Sequence, residues 1–321
     1  MCILCLFTAI SILNLPILIL SESFSKSASM NKIAIMLVVL SAVMHALRNF
    51  FTKKAYDKQA FVWWYEVFGQ LFFSPVFAVV LFSEGLELSI SLYMVLVSGF
   101  VHFVYWYFLA KSLEKGDLSL VYPIMRSSPA LVLVFSLTIL GEDVSLFGGL
   151  GISLIVLGVY AINMKKIKAS EFYKPIMAVR SDRATQFALL TLFSVAAYSV
   201  IDKIAVERMN TVAFAYLYPW LSLLLYSVYI YKVKHRAELR KEWAVDKRII
   251  LACGFLSIFG YFLILLAFTI ERVSYVVGLR QLSIVFAVLL GGQVLRERNR
   301  LIRFSAALVI FIGAYLIAVA E

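Results

Sequence analysis

Apolar residues run along this chain in continuous stretches of about 20 positions, separated by short polar connections. Ten stretches stand out, at roughly 33–52, 61–82, 91–113, 118–140, 145–164, 184–201, 211–231, 249–270, 273–292 and 300–320. Each approaches the ~20 residues with which an apolar helix crosses ~30 Å of hydrocarbon. A barrel strand would alternate apolar and polar positions over only ~10 residues, so the continuous runs predict helices. The expected class is an all-α polytopic membrane protein with ten transmembrane helices.

The stretches repeat. Residues 116–162 and 271–317 match at an offset of about 155, with Gly141-Glu142 answering to Arg296-Glu297, Gly158 to Gly313, Tyr160 to Tyr315 and Ser119 to Ser274. Upstream, Gly99 answers to Gly254, and His45 and Asn49 answer to Tyr198 and Asp202. The chain therefore divides into a first repeat over 31–164, a basic connecting loop over 165–183 and a second repeat over 184–321. Five spans per repeat is an odd number, so the second copy enters the bilayer in the opposite direction. Two inverted five-helix repeats with a site at the seam between them is an arrangement of transporters that alternate access.

Residues 2–20 form a further apolar stretch before a polar linker, Ser21 to Ser29. It reads as a signal-like segment without the basic residues expected ahead of it, as an extra helix, or as an extension upstream of a start at Met30. The last is preferred, and residues 1–30 are left out of the functional reading.

Composition narrows the class. A hydrophobic content of 63%, a charged content of 15% and a mean hydropathy of +0.92 exclude a soluble domain of this length. The net charge of +11 would point to nucleic acid in a soluble protein. Here its distribution is more telling, because the connections after spans 1, 3, 5, 7 and 9 carry 22 Lys and Arg and the opposite face five. That asymmetry assigns the basic face to the cytoplasm and leaves no nucleic-acid partner to explain it.

Charged groups inside the spans are the candidate chemistry. Arg126 lies in span 4 within Tyr122-Pro123-Ile124-Met125-Arg126-Ser127-Ser128-Pro129, and Arg280 lies at a nearly matched position of span 9 within Gly278-Leu279-Arg280-Gln281-Leu282-Ser283. A guanidinium in hydrocarbon costs between ~2.5 and ~17 kcal/mol depending on method, so such residues face protein or water. Two planar forks directed at one chamber suit a carboxylate or phosphonate, with Tyr122, Ser127, Gln281 and Ser283 as neighbouring hydrogen-bond partners. His102 and Trp106 stand one turn apart on span 3 and extend the substrate-facing set. Glu66 is the candidate proton-coupling carboxylate and His102 its relay, although Glu66 could instead pair with Arg48 or Lys53. Tyr198, Asp202, Tyr216, Tyr218, Trp220 and Tyr261 read mostly as aromatic belt or packing. Gly151 and Gly158 with Ala306 and Gly313 place small residues on one face in each copy, for close packing within the bundle or between two copies in a homodimer. The histidines His45, His102 and His235 have no catalytic or metal-ligand spacing, and Cys2, Cys5 and Cys253 lie in apolar surroundings. No enzyme activity, metal or cofactor is expected.

Two helix ends carry a family resemblance. Phe135-Ser-Leu-Thr-Ile-Leu-Gly-Glu142 and the Gly-rich helix through Gly148, Gly149, Gly151 and Gly158 resemble the end of an EamA domain of the drug/metabolite transporter superfamily. Phe286 to Glu297 and Gly313-Ala-Tyr-Leu-Ile-Ala repeat it. The resemblance covers about 31–320 and implies a ten-helix carrier in the bacterial inner (plasma) membrane. Such a carrier moves small metabolites, often outward, through a central cavity lined by both halves. Arg296 departs from the pattern where the first copy has Gly141. The charge count departs too, since many members are described with both termini in the cytoplasm. A flippase acting on a phosphate-bearing lipid is the alternative, because Arg126 and Arg280 could hold its headgroup while the tails stay in the bilayer.

Overall fold

A computed structural model describes residues 30–84, 89–115, 118–161, 177, 181–294 and 300–320. The segment 1–29, most of the 165–183 connection, the Arg296-Glu297 pair and the side chains of Ser119 and Tyr122 lie outside what is described. All the described regular structure is helical: α1 Lys32–Lys54, α2 Lys58–Glu84, α3 Ser89–Lys115, α4 Leu118–Arg126, α5 Ser128–Phe135, α6 Leu146–Ala161, α7 Arg183–Arg208, α8 Thr211–Val233, α9 Arg236–Ile270, α10 Val273–Leu279, α11 Leu282–Val294 and α12 Arg300–Ala318. Seven segments are long and apolar enough to cross a membrane, and the shorter apolar helices Leu146–Ala161, Val273–Leu289 and Ile302–Ala318 complete the ten spans. Polar residues set the starts. Asn31, Asp182 and Asn210 accept from the N–H groups of Ile33, Thr185 and Val212, at 2.8, 2.8 and 2.9 Å, which relieves orphan donors in the first turn.

Two predicted spans are broken, at corresponding places. Span 4 is α4 followed by α5 and a π-helical turn, Ser136–Leu140, and it interrupts at Ser127. Pro129 has no N–H to continue the ladder. The Ser127 N–H turns instead to the Ile124 carbonyl, and the Ser127 hydroxyl satisfies the Pro123 carbonyl at 2.7 Å. Span 9 is α10 followed by α11. It interrupts at Arg280 and Gln281, where the tight turn is closed by Gln281 N–H to the Gly278 carbonyl and Ser283 N–H to the Arg280 carbonyl. No proline lies in that second break, so only the fold marks it.

α9 begins 13 residues earlier than the apolar run predicts and bends at Asp246, whose φ and ψ of −118° and 15° are not helical. The bend separates an amphipathic segment on the basic face from the membrane-crossing segment.

The halves interlock rather than sit side by side. α1 and α2 pack on α9, α3 packs on α7 and α8, and α6 packs on α12. Close approach at these seams follows from glycine. A Cβ on Gly151 would lie 2.6 Å from the Gly313 carbonyl oxygen, and one on Gly313 would lie 2.6 Å from that of Gly151. Gly158 meets Ala306 in the same way at 2.9 Å, so this small-residue face is used within a single chain. Glu142 joins the halves as well. It follows Gly141, whose φ of 64° turns the chain out of span 4, and it accepts from Val273 N–H at 2.6 Å and Ser274 Oγ at 2.8 Å, capping α10 of the other repeat.

On the basic face the halves are tied by Asp57, between α1 and α2, and Lys234, between α8 and α9. The Asp57 N–H donates to buried Glu242 at 2.6 Å. Burial opposes ionisation of Asp57, but hydrogen bonds from Lys234, Ala60 and Gln59 outweigh it and hold the carboxyl below the usual range. Its contribution to stability is therefore present above the ordinary carboxylate pKa of about 4 and disappears as pH falls through the lowered value. Asp57→Asn is expected to reduce the melting temperature at neutral pH, and the difference from wild type is expected to shrink as pH falls below the ordinary carboxylate range and through the lowered value. A constant difference across that range would place the effect elsewhere.

Candidate functional site

Asp202 of α7 is fully enclosed in the seam, with a relative exposure of 0%. A carboxylate so placed is tolerable only with partners. It has three: Ser98 Oγ donates to Oδ1 at 2.6 Å, His102 Nε2 lies 3.0 Å from Oδ2, and the Tyr261 hydroxyl donates to Oδ2. Ser98 and His102 stand one turn apart on α3, so the carboxylate of the second repeat is gripped from the first. Tyr198 stacks on the His102 ring at 4.1 Å and 25°, and Tyr218 covers it at 4.6 Å.

A second set bridges the same seam one turn away. Ser257 and Tyr261 are four residues apart on α9, about 6 Å along the axis. Ser257 donates to Glu66 Oε1 at 2.9 Å and accepts from Arg48 Nη1 at 2.8 Å, while Arg48 Nη2 reaches His45 Nδ1 at 2.8 Å. Glu66 is within electrostatic reach of both Arg48 and His102, which links the two sets.

Arg280, at the second span break, enters this region. His45 is within electrostatic reach of Arg280 and Arg126 as well as Arg48. The Arg280 guanidinium lies 5.1 Å from the Tyr261 ring centroid, a cation–π distance that joins it to the Asp202 set. Beside Arg280, Gln281 Oε1 is buried without a partner among the described residues, as are both amide atoms of Gln70, one turn along α2 from Glu66.

Of the residues singled out in the sequence, Arg126, Arg280, His102 and Glu66 are thus brought to one polar seam. Gln281 and Ser283 are buried beside the second break. Ser127 is occupied with its own backbone, and Trp106 packs against Tyr105 and Tyr226. Glu66 does relate to Arg48, as the plainer alternative held, but through Ser257. Asp202, Arg48 and Tyr261 carry more of the site than their sequence reading gave them. The predicted run stopped at 201, one residue short of Asp202, whereas α7 continues to Arg208 and carries the acid within the helix, where it is a functional candidate by default.

Ten helical spans in two inverted five-helix repeats, packed through an apolar core shared by both and holding a cluster of buried polar and charged groups between them, define an integral membrane protein. The sequence model of the EamA-like transporter family matches residues 32–164 and 183–319, one copy on each repeat, and the chain belongs to that family of membrane transporters. Among solved structures, one crystal structure described only as that of a protein is similar at a TM-score of 0.67 and 16% identity, over 91% of this chain and 98% of its own. That likeness concerns the fold. No curated protein sequence matches the chain.

Proposed function

We propose that this protein is a secondary transporter that exports a small anionic or zwitterionic metabolite across the bacterial inner (plasma) membrane by alternating access, with Arg126 and Arg280 holding the anionic group. The observation that carries the reading is the pair of broken spans. Each repeat interrupts its fourth span beside an arginine, and both arginines act electrostatically on one buried histidine, His45. Interrupted helices at corresponding positions of two repeats are a recurrent device for siting a ligand at mid-membrane, where freed backbone groups and charges can turn inward. In this reading Gln281 and Ser283, buried beside the second break, assist Arg280; Ser127, whose hydroxyl donates to the Pro123 carbonyl, is left to accept, and Tyr122 is the expected further partner of Arg126; His102 and Trp106 contribute from α3, and Glu66 and His102 couple the site to protons. Among the described residues, both amide atoms of Gln70 and the Oε1 of Gln281 are without partners and leave polar capacity for a bound molecule.

Purified protein in liposomes, loaded with a radiolabelled panel of carboxylates, amino acids and phosphonates, tests this reading. Saturable flux of a panel member, without movement of a fluorescent phospholipid between leaflets, is the expected result. Lipid scrambling without metabolite flux would establish the flippase instead.

The basic face is read as cytoplasmic from the Lys and Arg asymmetry. Single cysteines replacing Arg236 or Arg240 are expected to resist an impermeant maleimide in intact cells and to react after permeabilisation. Ready labelling in intact cells would reverse the orientation.

A further inference from the structure

We infer that His102 and Asp202 together form a proton-binding site in the seam, and that its occupancy governs the separation of the two repeats. The inference rests on the transporter reading and adds the site at which a proton acts.

Two of the carboxylate's hydrogen bonds are already taken by groups that do not titrate near neutrality, Ser98 on Oδ1 and Tyr261 on Oδ2. Asp202 is thereby an acceptor, and the exchangeable proton falls to the His102 ring, whose Nε2 lies 3.0 Å from Oδ2 and carries the hydrogen when it bonds to a carboxylate. With the imidazole neutral, the pair carries one negative charge. A proton arriving from water adds to Nδ1, giving an imidazolium beside a carboxylate and no net charge. Release is the reverse, and no other bond changes.

The surroundings leave that balance to the pair itself. Ser98 faces it from α3, Tyr198 from α7, Tyr218 from α8 and Tyr261 from α9, all hydroxyl side chains, with Tyr105 packed behind Tyr198. The charged groups nearby are Glu66 on α2, Arg48 on α1, which is bridged to Glu66 through Ser257, and Arg280 at the break after α10. Lys203, next to Asp202 in sequence, turns away to the Phe268 and Glu271 carbonyls and to Glu207. Protonation of His102 therefore changes the net charge of the buried cluster.

Its consequence for movement follows from where the partners come from. Ser98 and His102 belong to the first repeat, Asp202 and Tyr261 to the second. The seam cannot open there without separating these groups, and an uncompensated charge left in a low-dielectric interior is strongly disfavoured. The protonated, neutral pair can remain enclosed, whereas the ionised pair favours an arrangement that admits water.

The test needs no cargo. Full-length protein in liposomes adsorbed on a sensor membrane is given an acid jump from about pH 8 to about pH 5, spanning the ordinary histidine range, and the displaced charge is recorded. Wild type is expected to show a transient displacement. Asp202→Asn and His102→Gln are expected to reduce it about tenfold or more, while His235→Gln, at the start of α9 and outside the seam, retains it. Should Asp202→Asn not assemble, His102→Gln carries the test, because its amide can still donate to Asp202 but takes up no proton. Full displacement in assembled His102→Gln overturns the proposal, as does its loss in Glu66→Gln alone, which would move the proton site to Glu66. Failure of every cargo to be transported, with displacement still dependent on His102, would count against the transporter reading and leave the proton site standing.

Discussion

Replacing Arg280 by Gln is expected to raise the half-saturating concentration of an anionic cargo by about ten- to a hundredfold, because a hydrogen bond to a charged group contributes roughly 1.5–3 kcal/mol. Arg126→Gln should act in the same direction. Arg→Lys at either position keeps the charge but loses the planar fork, so transport should fall by less than with Gln but remain well below wild type. The reason lies in geometry as much as charge. Each arginine stands at the interruption of its span, where the backbone turn fixes the root of the side chain, and Arg280 is further set by the Tyr261 ring 5.1 Å from it. A compact ammonium cannot reproduce a bidentate grip from the same root. Gln at either position leaves the helix break itself intact, since Pro129 and the turn at Gly278 to Ser283 are untouched. Concentration-dependent flux in liposomes checks the result. Unchanged half-saturation in two well-assembled Gln variants would make the arginines structural and move the cargo site elsewhere.

The second large effect is on assembly, and its sign depends on position within one helix. Gly151→Ala should lower the melting temperature of the purified protein, because the new methyl would begin 2.6 Å from the Gly313 carbonyl oxygen and 2.8 Å from the Ile317 side chain. Backbone cannot swing aside as a flexible side chain can, so α6 and α12 must separate along the seam. Overpacking of this kind costs typically ~1–3 kcal/mol. Gly313→Ala should do the same from the other side, and the two together should add less than their sum, since the first separation makes room for the second. Gly149→Ala, two residues from Gly151 on α6, meets nothing within 4 Å and should be neutral or stabilising by about 0.4–1 kcal/mol. Equal losses at positions 149 and 151 would mean that helix propensity or lipid contact, rather than the seam, governs both.

Helix entries were legible because each is decided locally. Asn31 and Asn210 cap the turns that follow them, and Gly141 supplies the left-handed residue that ends span 4. The interruption of span 4 was legible through Pro129, whose effect on the backbone is intrinsic to the residue. The interruption of span 9 was not, since Gly278 to Ser283 contains nothing that forbids a helix. The early start of α9 was missed because Arg236 to Asp246 is polar enough to end an apolar run while still helical, held to α2 by Leu239 and by Trp243 against Trp64 and Phe68. For the site, Arg126, Arg280, His102 and Glu66 were visible as polar groups in apolar spans. Asp202 was set among packing residues, because its partners are about 60 to 104 positions away in the chain.

The sequence by itself determined the ten spans, the duplication and the inversion of the second repeat. The free energy of moving a segment into hydrocarbon depends on that segment's own residues, and an odd number of crossings fixes direction by counting. Only the tertiary structure decided which polar groups meet. Ser98, His102, Asp202 and Tyr261 lie on three helices from two repeats, and no local rule sets the rotation of one helix against another. That rotation follows from close approach at glycines such as Gly151 and Gly313 and from the need of each buried charge for a partner, conditions satisfied only when all the spans are in place.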